Sequence, residues 1–332
     1  MTGSRLDIAF PHPPEGQVLV LNPPPQADLT VFDPQRLTLV QGSFPAHCAL
    51  AARGLAVTPD LAPDQRADLA LVFLPRAKPA ARALIHQAAQ AIPDGASLWI
   101  DGQKTDGIDS ILKEIRGLTE VAEVHSKAHG KIFCVAAGGW VPSDWAARAQ
   151  EVAPGFRTQP GVFSADGIDP GSALLAAHLP DRMPTRVVDL GAGWGWLAAQ
   201  VLARPGVETV HLVESDHAAL QSARTNITDP RARFHWADAR DFSLPDPVNG
   251  VVMNPPFHQG RDADPTLGRD FIAAAARLLT GAGRLWMVAN RHLPYEPALA
   301  AHFAKVAEIG GDNRFKVIEA TGARRQPTGG RR

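Results

Sequence analysis

The stretch VVDLGAGWGWL, Val187 to Leu197, determines how this chain is interpreted. An apolar segment ends in Asp189, and glycines follow at 191, 193 and 195 before the pattern becomes helical. Glycine lets a backbone turn tightly and approach a ligand closely, so the stretch predicts a strand, a ligand-contacting turn and a helix. A dinucleotide-binding fingerprint would need a glycine at the position of Trp196. The pattern is DxGxGxG instead.

The whole second half alternates short apolar segments with helical ones. The clearest helix, 265–280, has apolar residues every three to four positions and stops before Gly281. This alternation is typical of a parallel sheet covered by helices, and therefore of an α/β domain. The predicted strands are Arg186–Leu190, Thr209–Val213, Arg233–Trp236, Gly250–Met253, Arg284–Val288, Phe303–Glu308 and Phe315–Glu319.

A proline-containing stretch, 141–160, marks the expected boundary between two halves. We predict an N-terminal domain over 1–145, a second domain over 155–322 and a basic tail over 323–332. The first half repeats the later pattern weakly, which suggests a duplication; chance similarity between apolar strands is the alternative. The matching strings are LVFLP (71–75) with VVMNP (251–255), LWID (98–101) with LWMV (285–288), and KIFCV (131–135) with RFKVI (314–318).

The two halves differ at the glycine-rich turn. The early apolar strand 17–21 continues into Asn22-Pro23-Pro24-Pro25, with no glycine among these residues. We therefore expect that the first half does not bind a nucleotide-like cofactor, and that this Asn-Pro-Pro is a plain turn.

Composition indicates a folded protein without a strong charge bias. The chain has 332 residues, 45% hydrophobic and 20% charged, enough for roughly two domains with substantial cores. Its 33 basic and 34 acidic side chains nearly cancel, so global charge gives no argument for nucleic-acid binding. Cys48 and Cys134 lack CxxC partners, which argues against a zinc cluster or redox dithiol, and we expect both to be buried, inert thiols.

No segment of the sequence resembles a membrane span or a secretion signal. No apolar run approaches the ~20 residues that a bilayer crossing requires, and Met1–Phe10 lacks a basic region followed by an apolar one. We expect a cytoplasmic protein.

Two further carboxylates follow the strands after the glycine-rich turn. Glu214 ends the segment LVE, and Asp238 follows the segment HWA. Ligands of open α/β sheets collect at the carboxyl ends of the strands, so Asp189, Glu214 and Asp238 are expected to share one crevice. There Glu214 can accept both hydroxyls of a ribose, and Asp238 can accept a hydrogen bond from an adenine amino group. Each carboxylate alone is more often a helix cap or a surface residue.

The fourth strand ends in Asn254-Pro255-Pro256-Phe257, followed by His258. Prolines cannot continue a central strand, so the chain must leave the sheet here in a rigid conformation. The Asn254 side-chain carbonyl and the Pro255 backbone carbonyl can accept the two hydrogens of a planar exocyclic amine. Phe257 offers a face for base stacking, a contact worth about 1 to 3 kcal/mol.

With these residues identified, the chain resembles class I S-adenosylmethionine-dependent methyltransferases that act on amino groups. The DxGxGxG turn is similar to their motif I. Four longer strings narrow the resemblance to ribosomal RNA guanine-N2 methyltransferases of the RsmC/RlmG type. These strings are PGVFSADGIDPGS (160–172), NPPFHQG (254–260), ANRHLPY (289–295) and RFKV (314–317).

The resemblance implies an α/β fold: a Rossmann-like class I methyltransferase seven-stranded sheet, preceded by a degenerate α/β methyltransferase-like domain. It also implies S-adenosyl-L-methionine as the cofactor, no metal, and particular site residues. The implied cofactor-binding residues are Asp189, Gly191, Ala192, Gly193, Glu214, Asp238, Ala239, Phe163 and Ser164. The implied catalytic residues are Asn254, Pro255, Pro256 and Phe257, and Phe257 and His258 are expected to contact the substrate.

Two of these roles have structural alternatives. Phe163 and Ser164 are expected, by resemblance, to fold over the methionine end of the cofactor, but they also precede a helix start at Asp169-Pro170. His258 can help to remove a proton or contact RNA, although a histidine beside a turn is more often structural.

The leading hypothesis is methyl transfer to the exocyclic N2 of a guanine in small-subunit (16S) ribosomal RNA. The expected partner is ribosomal RNA or a ribosomal subunit, with no membrane, and the first half is expected to position the RNA. One alternative is the same chemistry on a 23S rRNA guanine, an adenine N6 or a protein glutamine. The other is a non-catalytic RNA-binding assembly protein.

Overall fold

The computed structural model describes residues 4–256, 258–259, 262–263 and 265–324, with the backbone alone at 258–259, 262–263 and 265. The chain forms two compact units. The first comprises Met1–Ala149 and Gln159–Gly161, and the second comprises Gln150–Thr158 and Val162–Arg332. Within the described part of the chain, no helix has the length and apolar character that a membrane crossing demands.

The first unit contains seven strands in one sheet, with helices between them. Its strands are β1 (Val18–Leu21), β2 (Leu37–Val40), β3 (Val57–Thr58), β4 (Leu69–Phe73), β5 (Ser97–Gln103), β6 (Glu123–Lys127) and β7 (Gly130–Ala136). Its α-helices are α1 (Arg5–Ala9), α2 (Phe44–Ala51), α3 (Lys78–Ala91) and α4 (Ile108–Arg116), with 3-10 turns at Pro34–Arg36, Lys104–Asp106 and Ser143–Trp145. The strand order is β3-β2-β1-β4-β5-β7-β6.

The second unit contains a second seven-stranded sheet and two short strand pairs. Its strands are β8 (Gln150–Ala153), β9 (Phe156–Thr158), β10 (Arg186–Leu190), β11 (Thr209–Glu214), β12 (Ala232–Trp236), β13 (Val248–Met253), β14 (His258–Gln259), β15 (Asp262–Ala263), β16 (Leu279–Asn290), β17 (Phe303–Gly311) and β18 (Phe315–Ala323). Its helices are α5 (Pro170–His178), α6 (Trp196–Leu202), α7 (His217–Asn226), α8 (Pro265–Leu278) and α9 (Glu296–His302). All seven predicted strands of this half are present.

The large sheet of the second unit has the order β12-β11-β10-β13-β16-β18-β17. The first five strands are parallel, and β18 runs antiparallel to both of its neighbours. Because β10 and β13 are adjacent and parallel, the residues that follow Leu190 and Met253 emerge at the same edge of the sheet. This edge is where the predicted glycine-rich turn and Asn254 lie.

Helices cover both faces of this sheet, as the α/β prediction requires. One core cluster joins the sheet to α8 and α9, and the other joins the opposite face to α5, α6 and α7. Successive strand residues point to opposite faces, so Val188 belongs to the first cluster and Val187 to the second. Helix α8 ends two residues before the predicted Thr280, because Leu279 already pairs with Val248 of β13.

The fold predicted from the sequence is confirmed: a seven-stranded sheet of the class I methyltransferase type, preceded by a degenerate methyltransferase-like domain. The two sheets have the same strand order and the same antiparallel penultimate strand. However, two of the three string matches proposed from the sequence are out of register.

Strand pairing corrects these two matches when the LWID and LWMV strings are taken as aligned. Leu98 pairs with Ala70 in the first unit, and Leu285 pairs with Val251 in the second. Val251, the first residue of VVMNP, therefore corresponds to Ala70 and not, as predicted, to Leu71. In the same way, Val135 pairs with Leu98 and Ala320 pairs with Leu285. Val135 therefore corresponds to Ala320 and not, as predicted, to Ile318. Fully buried apolar strands lack the polar alternation that would reveal such shifts.

The two cysteines have different environments. Cys134 is buried, as expected. Cys48 is exposed, which corrects our expectation, because it lies on α2 two residues from the inward-facing Ala46 and Leu50, on the other side of the helix.

Candidate active site

The glycine-rich turn has a backbone that depends on its glycines. Gly191, Gly193 and Gly195 have φ values of 76°, 55° and 90°, a region that other residues rarely adopt. A Cβ on Gly195 would lie 2.8 Å from the Ile227 side chain, so this glycine serves packing. A Cβ on Gly193 would meet no atom within 4 Å, so this glycine leaves space open for a ligand.

Backbone hydrogen bonds attach the turn to the neighbouring strand β11. The N–H groups of Gly191 and Ala192 both donate to the Val213 carbonyl, at 2.9 and 3.1 Å. The next N–H, that of Gly193, donates to Oε2 of Glu214 at 2.8 Å, and the Asp216 N–H donates to Oε1 at 2.8 Å. Glu214 therefore positions the turn. Its Oε1 also accepts from the Ser215 hydroxyl at 3.4 Å, whereas Oε2 keeps a second lone pair. Its predicted contact with ribose hydroxyls stays a prediction.

Trp194 holds the turn in place through its buried side chain. This role was not predicted from the sequence. Its side chain is 4% exposed, its ring packs edge-on against Phe156 at 5.6 Å, and its Nε1 donates to the Phe163 carbonyl at 3.2 Å. Asn226 of α7 bonds to both the Trp194 carbonyl and the Arg157 backbone. The β8–β9 hairpin, which lies in the stretch predicted to separate the halves, thereby supports the turn.

Asp189 is completely buried at the end of β10, next to the turn. Neither carboxylate oxygen has a hydrogen-bond partner within the described residues. Burial raises the pKa of Asp189 to about 8; the nearby Glu214 carboxyl acts in the same direction, and the Ala198 backbone N–H opposes it without reaching hydrogen-bond geometry. A buried acid without partners is a group that a bound ligand can satisfy.

This raised pKa predicts a specific pH dependence of stability. The folded protein keeps a proton on Asp189 that the unfolded chain releases above about pH 4. The free energy of unfolding should therefore fall by up to about 1.4 kcal/mol per pH unit as the pH rises towards 8. Asp189→Asn, which cannot ionise, should lack the contribution of Asp189 to this dependence.

Calorimetric melting of the ligand-free protein between pH 5.5 and 8.5 measures this difference. The melting temperature of the Asp189→Asn variant should rise relative to the unsubstituted protein as the pH increases. Asp166→Asn, which changes an exposed carboxylate in the same unit, is the matched control. Parallel melting curves for the protein and its Asp189→Asn variant would show that Asp189 is ionised in the fold.

The pKa values of Glu214 and Asp238 shift in opposite directions. Burial and the Asp216 carboxyl raise the pKa of Glu214, although the backbone N–H groups of Asp216 and Gly193 oppose them. Burial also favours a higher pKa for Asp238, but the Arg240 side chain and backbone N–H lower its pKa below the ordinary value. Arg240 Nη2 lies 2.6 Å from Oδ2 of Asp238. The predicted adenine contact of Asp238 stays a prediction, as does the predicted cofactor-binding role of the buried Ala239.

Phe163 and Ser164 lie beside the glycine-rich turn. Ser164 has a positive φ of 52°, and its hydroxyl donates to the Gly167 carbonyl at 2.8 Å. The Phe163 side chain is 56% exposed, although its carbonyl is bonded to Trp194. An exposed aromatic ring held on such a constrained backbone is suited to contact a ligand. The alternative interpretation also has support, because Asp169 does cap α5 and Pro170 occupies its first position.

Asn254 follows β13 at the same edge of the sheet. Its Nδ2 donates to Oδ2 of Asp169 at 2.7 Å and to Oγ of Ser172 at 2.9 Å. Pro255 is buried and Pro256 is exposed. Phe257 and the His258 side chain lie outside the described residues, so their predicted substrate contacts stay predictions.

An open cleft brings several of these residues together. It is lined by Phe163, Ser164, Asp169, Ser172, Asp189, Gly191, Ala192, Gly193, Trp194, Trp196, Leu197 and Asn254. Glu214, Asp238, Ala239, Pro255 and Pro256 do not line this cleft. Among the described residues there is no group of three or more His, Cys, Asp or Glu side chains placed to hold a metal ion.

The cleft fits a nucleoside cofactor with a positively charged tail. The open space at Gly193 admits the ligand, and the partnerless Asp189 carboxyl can pair with a donor or cation. Glu214 does not line the cleft, but it bonds to the Gly193 N–H, and Gly193 does line it, so its carboxylate can serve hydroxyl groups beside the cleft. These features match S-adenosylmethionine, which has a ribose, an amino group and a sulfonium.

The corresponding part of the first unit has different residues. Leu21 pairs with Val40 as Leu190 pairs with Val213, so Gln41 takes the place of Glu214. Gln41 Oε1 accepts from the Ser43 N–H at 2.8 Å, as Glu214 accepts from Asp216, but its Nε2 donates to the Pro23 carbonyl at 2.8 Å. The Gln41 amide thus bonds to the proline turn, and the expectation that this unit binds no nucleotide-like cofactor stays a prediction.

The sheet order, the glycine-rich turn and the Asn-Pro-Pro exit define a class I S-adenosylmethionine-dependent methyltransferase fold. The family model of the methyltransferase small domain matches residues 154–319, and the model of its N-terminal domain matches residues 33–146. The chain belongs to the methyltransferase small domain family. The resemblance inferred from the sequence motifs is therefore confirmed.

Relatives with assigned names cover most of this chain. The ribosomal RNA small subunit methyltransferase C of Hahella chejuensis is 28% identical over 92% of this chain and 94% of its own. The protein of the same name from Psychromonas ingrahamii is 30% identical over 77% of this chain and 76% of its own.

A solved structure is also similar over both units. It is that of the T. thermophilus 16S rRNA N2 methyltransferase RsmC, which acts on guanine 1207, in complex with AdoMet and guanosine. The TM-score is 0.78 with 26% identity, covering 93% of this chain and 88% of that one.

Proposed function

We propose that this protein transfers a methyl group from S-adenosylmethionine to the exocyclic N2 of a guanine in 16S ribosomal RNA. The observation that carries the proposal is that Asn254 lines the same cleft as Asp189 and the glycine-rich turn. A methyl donor and an amine must meet within one cleft for the transfer. The named relatives support the choice of 16S RNA and of guanine N2.

The cofactor contributes an activated methyl group on a sulfonium. Asp189, the turn at Gly191–Gly193 and Glu214 would hold it, with Phe163 and Ser164 at the edge of the cleft. Burial raises the pKa of Asp189. A cationic group placed beside it would lower this pKa again and favour loss of the proton.

The protein's main contribution is alignment, because guanine N2 is a weak nucleophile whose lone pair is delocalised into the ring. Fixing two reacting groups in line can lower a barrier by about 7 to 11 kcal/mol. The Asn254 side-chain carbonyl and the Pro255 backbone carbonyl would accept the two hydrogens of the amine. These acceptors stabilise the positive charge that develops on nitrogen, so they act most strongly in the transition state.

The target guanine must be flipped or single-stranded, since a paired and stacked base cannot bring N2 in line with the methyl group. In the first unit, the Gln41 amide bonds to the proline turn where the second unit has its glycine-rich turn and Glu214. This unit would position the RNA or stabilise the second unit. A ribosomal RNA substrate also implies that the protein acts in the cytoplasm.

Methylation with tritiated cofactor tests this function. Small subunits, large subunits, naked 16S and 23S RNA and release factors are compared as substrates, and the labelled nucleoside is identified by mass spectrometry. We expect label in N2-methylguanosine of 16S RNA. Label in N6-methyladenosine, 23S RNA or protein glutamine would favour the alternative substrates. No transfer together with no cofactor binding in calorimetry would favour an assembly protein instead.

A further inference from the structure

The side-chain amide of Asn254 is held at its nitrogen by two acceptors. Nδ2 carries two hydrogens, and it lies 2.7 Å from Oδ2 of Asp169 and 2.9 Å from Oγ of Ser172. Both donors of the amide are therefore used within the protein. The atom left to contact an amine is Oδ1.

Asp169 fixes this orientation more strongly than Ser172. A hydroxyl can donate or accept, so Ser172 would tolerate a flipped amide. An ionised carboxylate can only accept, so a flip would place Oδ1 of Asn254 directly against the oxygen of Asp169. Bonds to a charged acceptor are also stronger than bonds between neutral groups.

Helix α5 holds Asp169 in place. The same Oδ2 that accepts from Asn254 also accepts from the Ser172 backbone N–H at 2.7 Å, which makes Asp169 the N-cap of the helix. Gly171 is closely surrounded: a Cβ there would lie 3.0 Å from Oδ2 of Asp169 and 3.6 Å from Nδ2 of Asn254. The helix start and the Asn-Pro-Pro exit are thus joined through one carboxylate.

We propose that Asp169 is a positioning residue for methyl transfer, a role that rests on the function proposed above. It keeps Oδ1 of Asn254 directed at the target amine, with Ser172 as a weaker second acceptor. Its negative charge also polarises the amide and strengthens Oδ1 as an acceptor while the amine nitrogen gains positive charge.

Asp169→Asn tests the proposal without removing the helix cap, because asparagine caps helices as well as aspartate does. Asparagine can both donate and accept, so the variant loses the charge and no longer fixes the Asn254 amide. We expect kcat to fall about 10- to 100-fold, the range for loss of a charge-assisted hydrogen bond. RNA KM should stay within about twofold and cofactor Kd should change by less than kcat, because the substitution keeps the size of the side chain. The melting temperature should be nearly unchanged.

Two further variants separate positioning from general effects. Ser172→Ala removes the neutral acceptor alone, so kcat should fall by less than in Asp169→Asn. Asp33→Asn makes the same chemical change at the N-cap of the 3-10 turn Pro34–Arg36, where the side chain accepts from the Gln35 N–H at 2.9 Å. Its kcat should be unchanged.

A double-mutant cycle shows whether Asp169 acts through Asn254. In the background of Asn254→Ala, Asp169→Asn should cause no further loss of kcat, because the amide it orients is absent. Equal losses in both backgrounds, or full activity of the single variant, would overturn the proposal while leaving the methyltransferase function intact. An unsubstituted protein inactive on ribosomal RNA in the same assay would overturn the proposed function, and this inference with it.

Discussion

Asn254→Ala is expected to lower kcat at least about a hundredfold while leaving the affinity for S-adenosylmethionine unchanged. Loss of one positioned polar contact to a developing charge typically costs a factor of about 10² to 10³. In the proposed mechanism Asn254 supplies such a contact through Oδ1, because its amide nitrogen already donates to Asp169 and Ser172. Single-turnover methylation measures the rate, and titration calorimetry measures cofactor binding.

The matched control is Asn249→Ala on the same strand. Asn249 lies towards the opposite end of β13, where its Oδ1 accepts from the Thr185 hydroxyl at 3.3 Å. This variant should retain kcat within about twofold, since it removes an ordinary polar contact far from the reacting groups. An Asn254→Ala protein as active as the control would refute the role given to Asn254.

Gly193→Leu is expected to weaken cofactor binding at least about a hundredfold and to leave the protein folded. This expectation rests on the open space around Gly193. No atom lies within 4 Å of a Cβ placed on it, and the glycine lines the cleft. A leucine side chain would therefore occupy ligand space instead of clashing with the protein, and lost ligand contacts translate directly into Kd. Titration calorimetry with S-adenosylmethionine measures the change.

Gly155→Leu controls for backbone strain. Gly155 also has a positive φ, 76°, and open space around its Cβ, but it lies in the β8–β9 turn outside the cleft. A left-handed conformation costs a larger residue roughly 1 to 2 kcal/mol at either site. The two variants should therefore lose similar stability, and Gly193→Leu alone should lose cofactor binding. Equal cofactor affinities would place the ligand elsewhere.

The strands and the glycine-rich turn could be predicted from the sequence because their signals are local. Asp189, Gly191 and Gly193 follow one apolar segment, and the structure places all three in the cleft. Asn254 was predicted for the same reason, since two prolines end its strand. Parallel pairing of β10 and β13 then brings the two stretches to one edge.

The contacts that were missed join residues far apart in the chain. Asn254 bonds to Asp169 across 85 positions, and Asn226 bonds to Arg157 across 69. No local periodicity encodes such pairs, so the sequence identified Asp169 as a helix cap without its partner. The contacts of Trp194 could not be predicted for a different reason. A tryptophan between glycines gives no indication of which group its indole nitrogen will bond.

A structure of the protein with S-adenosylmethionine and guanosine tests the central claim most directly. We predict the cofactor over the turn at 191–195, with its charged groups near Asp189 and its ribose at Glu214. The guanine N2 should lie within hydrogen-bond distance of Asn254 Oδ1. Nucleoside density at another place in the chain, or a guanine whose N2 lies beyond the reach of Asn254, would contradict the account.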